Sequence, residues 1–199
     1  MKRSIEKLGV GLAIALTVGS VSVNAINVKA DEIPTERSIK NTELQDKEIS
    51  KHVIFDSASN SYSVSQGYLN TLSVKVADYI KENIALTNEK IQETQKDSTI
   101  GTVTAVDGQG ISHSIKQNIA RSNGKTDIKF YWNYARVWLS KDTLHQLGLG
   151  VAIDGLFVPE PIVSKVCAGF GLVAGAAKSG IWFDYNYFAG IWTGNAGWQ

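Results

Sequence analysis

The spacing of apolar residues changes once along this chain, near Ile100, and that change restricts the fold more than any other feature. Before it, Val64, Tyr68, Leu72, Val76, Tyr79, Ile80 and Ile84 recur at helical intervals and form one stripe along a helix predicted over 64–95. Ser63 and Gln66 have the spacing of a capping box, and the polar run ETQKDST closes the helix. Its polar face mixes Lys75, Asp78, Lys81 and Glu82, which suits packing against the rest of the protein better than lying on a membrane. Beyond Ile100 the period shortens. TVTAVDGQGISHSI predicts a hairpin turning at Asp107 and Gly108, and SNGKTD predicts another turn. In IKFYWNYARVWLS, Ile128, Phe130, Trp132, Tyr134 and Trp138 share one strand face. Arg136 interrupts that face and calls for solvent or a carboxylate beside it. The expected class is therefore α+β: a long amphipathic N-terminal helix, then an aromatic-rich strand, helix and strand.

Ser140 can cap a short helix, KDTLHQLG, ended by Gly148 or Gly150. Pro161 stands at a favoured first-turn position and opens IVSKVCAGFGLVAGAAKSG as a helix ending at Gly180. In that helix Gly171, Gly175 and Ser179 fall four apart and predict a bare face for close packing. Glycines at Gly169, Gly171 and Gly175 each cost about 1 kcal/mol relative to alanine, so the helix needs a compensation such as tight packing. The twelve uncharged residues between Lys165 and Lys178 reach roughly 18 Å as a helix, short of a hydrocarbon core of about 30 Å. IWFDYNYFAGIW then resumes the strand pattern. Trp182, Tyr185, Tyr187, Trp192 and Trp198 are the candidates for contact with a membrane or receptor, with packing in the core as the alternative.

The N-terminus has the three-part order of a secretory signal peptide: a cationic MKRSIEK, an apolar LGVGLAIALTVG, and small residues leading to VKA. Cleavage is expected after Ala30, with Ala25 as the alternative, and the protein is expected to be secreted. The organisation read from sequence is a signal peptide over 1–30, a mobile polar leader over 31–60, a helical region over 61–99, and an aromatic- and glycine-rich α+β region over 100–199. Removing the signal peptide's four basic and one acidic residues takes 20 basic and 19 acidic side chains to 16 and 18, a formal charge of −2. That balance argues against nucleic acid as a partner.

Cys167 is the only cysteine, so no intramolecular disulfide can form, and it reads as a buried apolar residue. His52, His113 and His145 lack the spaced partners of a metal site, and the SHS at 112–114 reads as a solvated turn or strand. GFGLVAG follows a helix-like segment rather than a strand, so it is not a dinucleotide-binding turn. No catalytic, metal-binding or cofactor-binding residue is expected.

YWNYARVWLSKDTLHQLG, PEPIVSKVCAGFGLVAGAA and GIWFDYNYFAGIW together resemble the large secreted Gram-positive bacteriocins of the dysgalacticin type. The resemblance covers roughly 129–198, with PEPIVSKV as its most specific piece. It implies a protein antimicrobial acting on the cytoplasmic membrane, or a membrane-protein receptor, of related bacteria, with a dedicated immunity protein as a further partner. The family's cysteine pair does not transfer, because Cys167 stands alone. Near-neutral charge favours receptor-directed action over nonspecific electrostatic attack. The alternative functions are a non-catalytic module binding wall or host glycans through exposed aromatics, and an exported immunity or inhibitor protein.

Overall fold

The computed structural model describes residues 46–98, 100–117, 126–151, 156–172 and 174–199. By contacts the chain divides into Met1–Thr35 and Glu36–Gln199, and the described residues all belong to the second unit. The expected signal peptide, and residues 31–45 of the expected leader, lie outside the described residues. The protein is α+β, with a two-stranded hairpin, a six-stranded sheet and a set of helices.

Residues 46–60 are not part of a leader. Residues 46–50 are helical, and β1 (Val53–Asp56) pairs antiparallel with β2 (Ser61–Val64). Val53 and Phe55 point inward from β1, and Tyr62 from β2. Few apolar residues are needed here, because alternate positions of a short hairpin suffice to seat it. The Tyr62 hydroxyl lies 2.8 Å from the carbonyl oxygens of both Val106 and Phe130 and accepts from the Val106 N–H at 3.0 Å. Burial pushes its pKa far above the usual phenol value.

The single helix expected from 64 divides into β2, a turn of helix α1 (Gln66–Leu69), and the 23-residue helix α2 (Val74–Lys96). Ser65 caps α1 and Ser73 caps α2, each accepting a backbone N–H with its side chain, so the start predicted at Ser63 falls one strand too early. The buried stripe of α2 is Ala77, Ile80, Asn83, Ile84, Thr87, Ile91 and Thr94. Asn88 clamps the hairpin: its Oδ1 accepts from Tyr62 N–H at 2.7 Å and its Nδ2 donates to Tyr62 O at 2.9 Å. One side chain thus serves β2 as a further strand would.

The sheet comprises β3 (Thr102–Val106), β4 (Ser112–Gln117), β5 (Asp127–Phe130), β6 (Ala135–Leu139), β7 (Ile181–Asn186) and β8 (Ile191–Trp198), in the order β4-β3-β5-β6-β7-β8. Only β3 and β5 run parallel; the other pairs are antiparallel. The hairpin expected over 102–115 is present, with its turn at Asp107. The aromatic segment expected as one strand is two. It breaks at 131–134, where Tyr131 N–H donates to Tyr134 O at 2.8 Å and the two rings stack 4.3 Å apart. The break reverses the parity. Ile128 and Phe130 share the core face with Ala135, Val137 and Leu139, while Trp138 joins Arg136 on the other face.

Helices α3 (Lys141–Gly148) and α4 (Glu160–Gly169) connect β6 to β7. Both end the same way. In α3 Gly150 N–H donates to Leu147 O and Val151 N–H to Gln146 O; in α4 Gly171 N–H donates to Ala168 O and Leu172 N–H to Cys167 O. Each pair is a Schellman closure, which places Gly150 at φ +75° and Gly171 at φ +70°. The helix expected to reach Gly180 therefore stops at Gly169. Gly171 is its terminator, Gly175 lies in a 3-10 turn (Ala174–Ala176), and Ser179 in a bend, so they do not form one packing face. Gly175 does approach another element: a Cβ there would lie 3.5 Å from the Gly148 Cα. Val163, Val166 and the free Cys167 are buried on α4 in the common core, and burial pushes the thiol pKa up.

Candidate functional site

The sheet has two unlike faces. Val103, Ile128, Val137, Leu139, Ile181 and Phe183 build the core face and are essentially inaccessible. On the opposite face of β5–β7, Asp127, Lys129, Arg136, Trp138, Trp182 and Asn186 are half-buried, and Asp184 is buried. Cross-strand register aligns Lys129, Arg136 and Asp184 in one row and Asp127, Trp138, Trp182 and Gly197 in the next. Arg136 Nε donates to Asp184 Oδ1 at 2.7 Å and Nη2 to Oδ2 at 2.8 Å, a bidentate pair. The carboxylate that Arg136 called for is thus its direct cross-strand partner. The guanidinium also lies 4.4 Å from the Trp182 ring centroid. Trp182 lies close over Gly197, where a Cβ would come within 2.5 Å of the indole Nε1.

A bulge in β8 completes the surroundings of Asp184. Phe183 pairs with Ala196 and Tyr185 with Trp192, so Thr193, Gly194 and Asn195 together face the single residue Asp184. Asn195 Nδ2 donates to Asp184 Oδ2 at 3.3 Å, and Thr193 Oγ1 to Asp184 O at 3.3 Å. Beside this bulge opens a cleft of about 380 Å³, walled by the β5–β6 turn, the end of β7, the bulge and the helical residues 46–50. Asp46, Tyr131, Asn133, Asn186 and Asn195 are among its lining residues.

Among the described residues Asp46 forms no ion pair there. Burial raises its pKa from 3.8 to about 6, partly offset by the bond that Asn133 Nδ2 donates to its Oδ2 at 3.1 Å. A carboxyl with a raised folded-state value stabilises the fold fully below its unfolded value, and that contribution is lost as pH rises through about 6. Asp46→Asn is therefore expected to stabilise the protein above pH 6 by about 1 kcal/mol, a figure discounted for partial exposure. Below pH 4 it should have no effect, and thermal unfolding of both proteins across that range is the check.

A second constellation lies at the β1–β2 and β3–β4 turns. Ser57 Oγ is 3.1 Å from His113 Nδ1, and His113 Nε2 is 2.9 Å from Asp107 Oδ2. The order of groups is that of a hydrolase relay. However, the neighbouring Ala58 N–H is already bound to Asp56 Oδ1 at 2.9 Å and cannot hold an oxyanion. What the three side chains do is tie the β1–β2 turn to the β3–β4 turn. His113 is correspondingly half-buried beside Phe55, not the solvated residue expected from SHS.

The aromatic candidates separate by environment. Tyr185 is core, only 4% exposed, and Tyr187 is half-buried with its hydroxyl against Thr87 and the Tyr131 carbonyl. Trp182 is half-buried on the open face. Trp192 is half-buried over Gly169 and donates its Nε1 hydrogen to Asn195 O at 3.0 Å. Trp198 is 50% exposed and leans on Phe170 at 4.9 Å between ring centroids. Ile191, on the same edge strand, and Phe188, in the turn before it, are exposed. Asp46, Asn133, Asn186 and Asn195 carry no periodic or motif signal and are invisible in sequence. Asp184 is legible there only as an outward strand residue.

Among the described residues no helix is long and apolar enough to cross a membrane, and no group of three or more His, Cys, Asp or Glu could hold a metal ion. No family model matches the chain, and no curated protein or solved structure matches it.

Proposed function

We propose that this chain is an exported antimicrobial protein, a bacteriocin that recognises a receptor in the membrane of related Gram-positive bacteria. The observation that carries the reading is the exposure of large apolar side chains on the edge strand β8, where Trp198 is 50% and Ile191 53% exposed, next to the half-buried Trp182 on the open face of β7. Large aromatic side chains with a polar tip suit both protein hot spots and the headgroup level of a bilayer. The signal-peptide pattern and the resemblance over 129–198 point the same way. Recognition is preferred to insertion, because Val163, Val166, Cys167, Ile181, Phe183 and Tyr185 belong to one buried core. Insertion of 161–192 would have to dismantle that core.

Spotting the purified protein, lacking residues 1–30, on lawns of related bacteria tests the reading. Clearing on a subset of strains is expected, and failure on every strain would remove it. Trp198→Ala separates contact from folding. With half its surface already in water, the side chain should contribute about 2 kcal/mol to stability, less than the roughly 3–5 kcal/mol typical of a buried tryptophan. The melting temperature should fall by several degrees while the variant still folds and killing weakens; a folded, fully active variant would take Trp198 out of the surface.

A further inference from the structure

We propose that the cleft between residues 46–50, the β5–β6 turn and the β8 bulge is a binding site for a neutral saccharide. The inference stands apart from the antimicrobial reading and concerns a different part of the surface from Trp198.

Size is the first argument. At about 380 Å³ the cleft lies at the small end of the range for ligand pockets, roughly 300–1,000 Å³, and suits one or two sugar rings better than a lipid chain or a folded partner. Polarity is the second. A sugar presents adjacent hydroxyls, each both donor and acceptor, and these match planar carboxamide and carboxylate groups. Asp46, Asn133, Asn186 and Asn195 supply such groups from separate segments of the chain. They are held in place without being used up. Asn133 Nδ2 is bound to Asp46, and Asn186 Oδ1 accepts from Ala189 N–H at 2.9 Å. Asn133 Oδ1 and Asn186 Nδ2 make no hydrogen bond to the described residues, which leaves an acceptor and a donor for a ligand. Tyr131 and Tyr134, stacked on one another, add apolar ring surface for the C–H face of a sugar.

Charge decides against the alternatives. Arg136 neutralises Asp184, and the remaining charged lining groups are the carboxylate of Asp46 and the ammonium of Lys47. That balance offers little to a phosphate, which seeks clustered cations or a run of N–H donors. It also lacks the several carboxylates that would hold a divalent cation.

Saturation-transfer NMR with glucose, mannose, galactose and N-acetylglucosamine, each alone and then with excess inorganic phosphate, tests the proposal. At least one sugar should bind, phosphate should not displace it, and Asn186→Ala and Asp46→Asn should each weaken it about tenfold. Circular dichroism of the same preparations checks folding; if Asn186→Ala fails to fold, Asp46→Asn decides. No binding by any of the four sugars, displacement by phosphate, or unchanged affinity in folded variants would each overturn it. Retention on isolated cell walls that the free sugar reverses would place the ligand in wall glycan, and binding of the free sugar without such retention would place it in solution. Killing without sugar binding would discard the cleft and leave the antimicrobial reading, and sugar binding without killing would do the reverse.

Discussion

Gly108→Ala should destabilise the protein by about 3 kcal/mol or more, a loss large enough to unfold much of a marginally stable domain. A Cβ at Gly108 would sit 1.6 Å from the Ser50 carbonyl oxygen and 2.9 Å from that of Val53. Neither is the tip of a mobile side chain. Both belong to backbone, and Val53 O accepts the Gly108 N–H itself at 3.3 Å. Relief would require lifting the β1–β2 hairpin away from the β3–β4 turn. That would expose Val53, Phe55 and Tyr62, each worth about 1.5–3 kcal/mol when fully buried. Gly110 is the control. It has φ +82° and no atom within 4 Å of the point a Cβ would occupy, so Gly110→Ala meets only backbone strain of about 1–2 kcal/mol. Urea unfolding of the two variants should rank them clearly, and a Gly108→Ala protein as stable as Gly110→Ala would refute the close approach.

Arg136→Leu should cost about 2–4 kcal/mol. Asp184 is 3% exposed, and without the guanidinium its charge would keep only the long Asn195 bond at 3.3 Å. Removing one partner of a buried pair typically costs about 3–5 kcal/mol; the Arg136 side chain is 32% exposed, so water can partly replace it. The double variant Arg136→Leu/Asp184→Leu should recover most of the loss, because it removes the orphaned charge along with its partner. If Arg136→Leu alone unfolds at the wild-type temperature, the pair is a surface contact and the open face is wetter than its burial implies.

How much of this is legible in the sequence varies with how local the signal is. The hairpin at 102–117 is readable because alternation and an Asp-Gly turn are properties of adjacent residues. The partner of Arg136 is inferable in kind, since a charge on an aromatic strand must be compensated. The core stripe of α2 is only half readable. Thr87 and Thr94 continue it, but they count as polar until their hydroxyls are seen to bond to Asn83 O at 2.7 Å and Lys90 O at 2.7 Å, within the helix itself. The β5–β6 break is hidden by composition. Tyr131, Trp132 and Tyr134 have strong strand preference, yet stacking and a turn hydrogen bond place them at a corner. The end of α4 at Gly171 is announced by AGFGL, which resembles the LGLGV that ends α3, but one glycine among several does not say which takes the left-handed conformation.

By itself the sequence determined the order of helix-like and strand-like segments, the lone thiol, the leader pattern and the need to compensate Arg136. Those depend on residue type and on neighbours within a turn or two. Tertiary structure alone decided which aromatics are core and which are surface, because Tyr185 and Trp198 are separated by what packs over them and not by any local pattern. It alone decided that Gly108 must be glycine, since the obstructing carbonyls of Ser50 and Val53 come from a segment far earlier in the chain. It also assembled the cleft, whose polar groups from residues 46, 133, 186 and 195 meet only when the sheet brings distant segments to one end. Periodicity records how a segment meets solvent and core; it carries no record of which distant segment it meets.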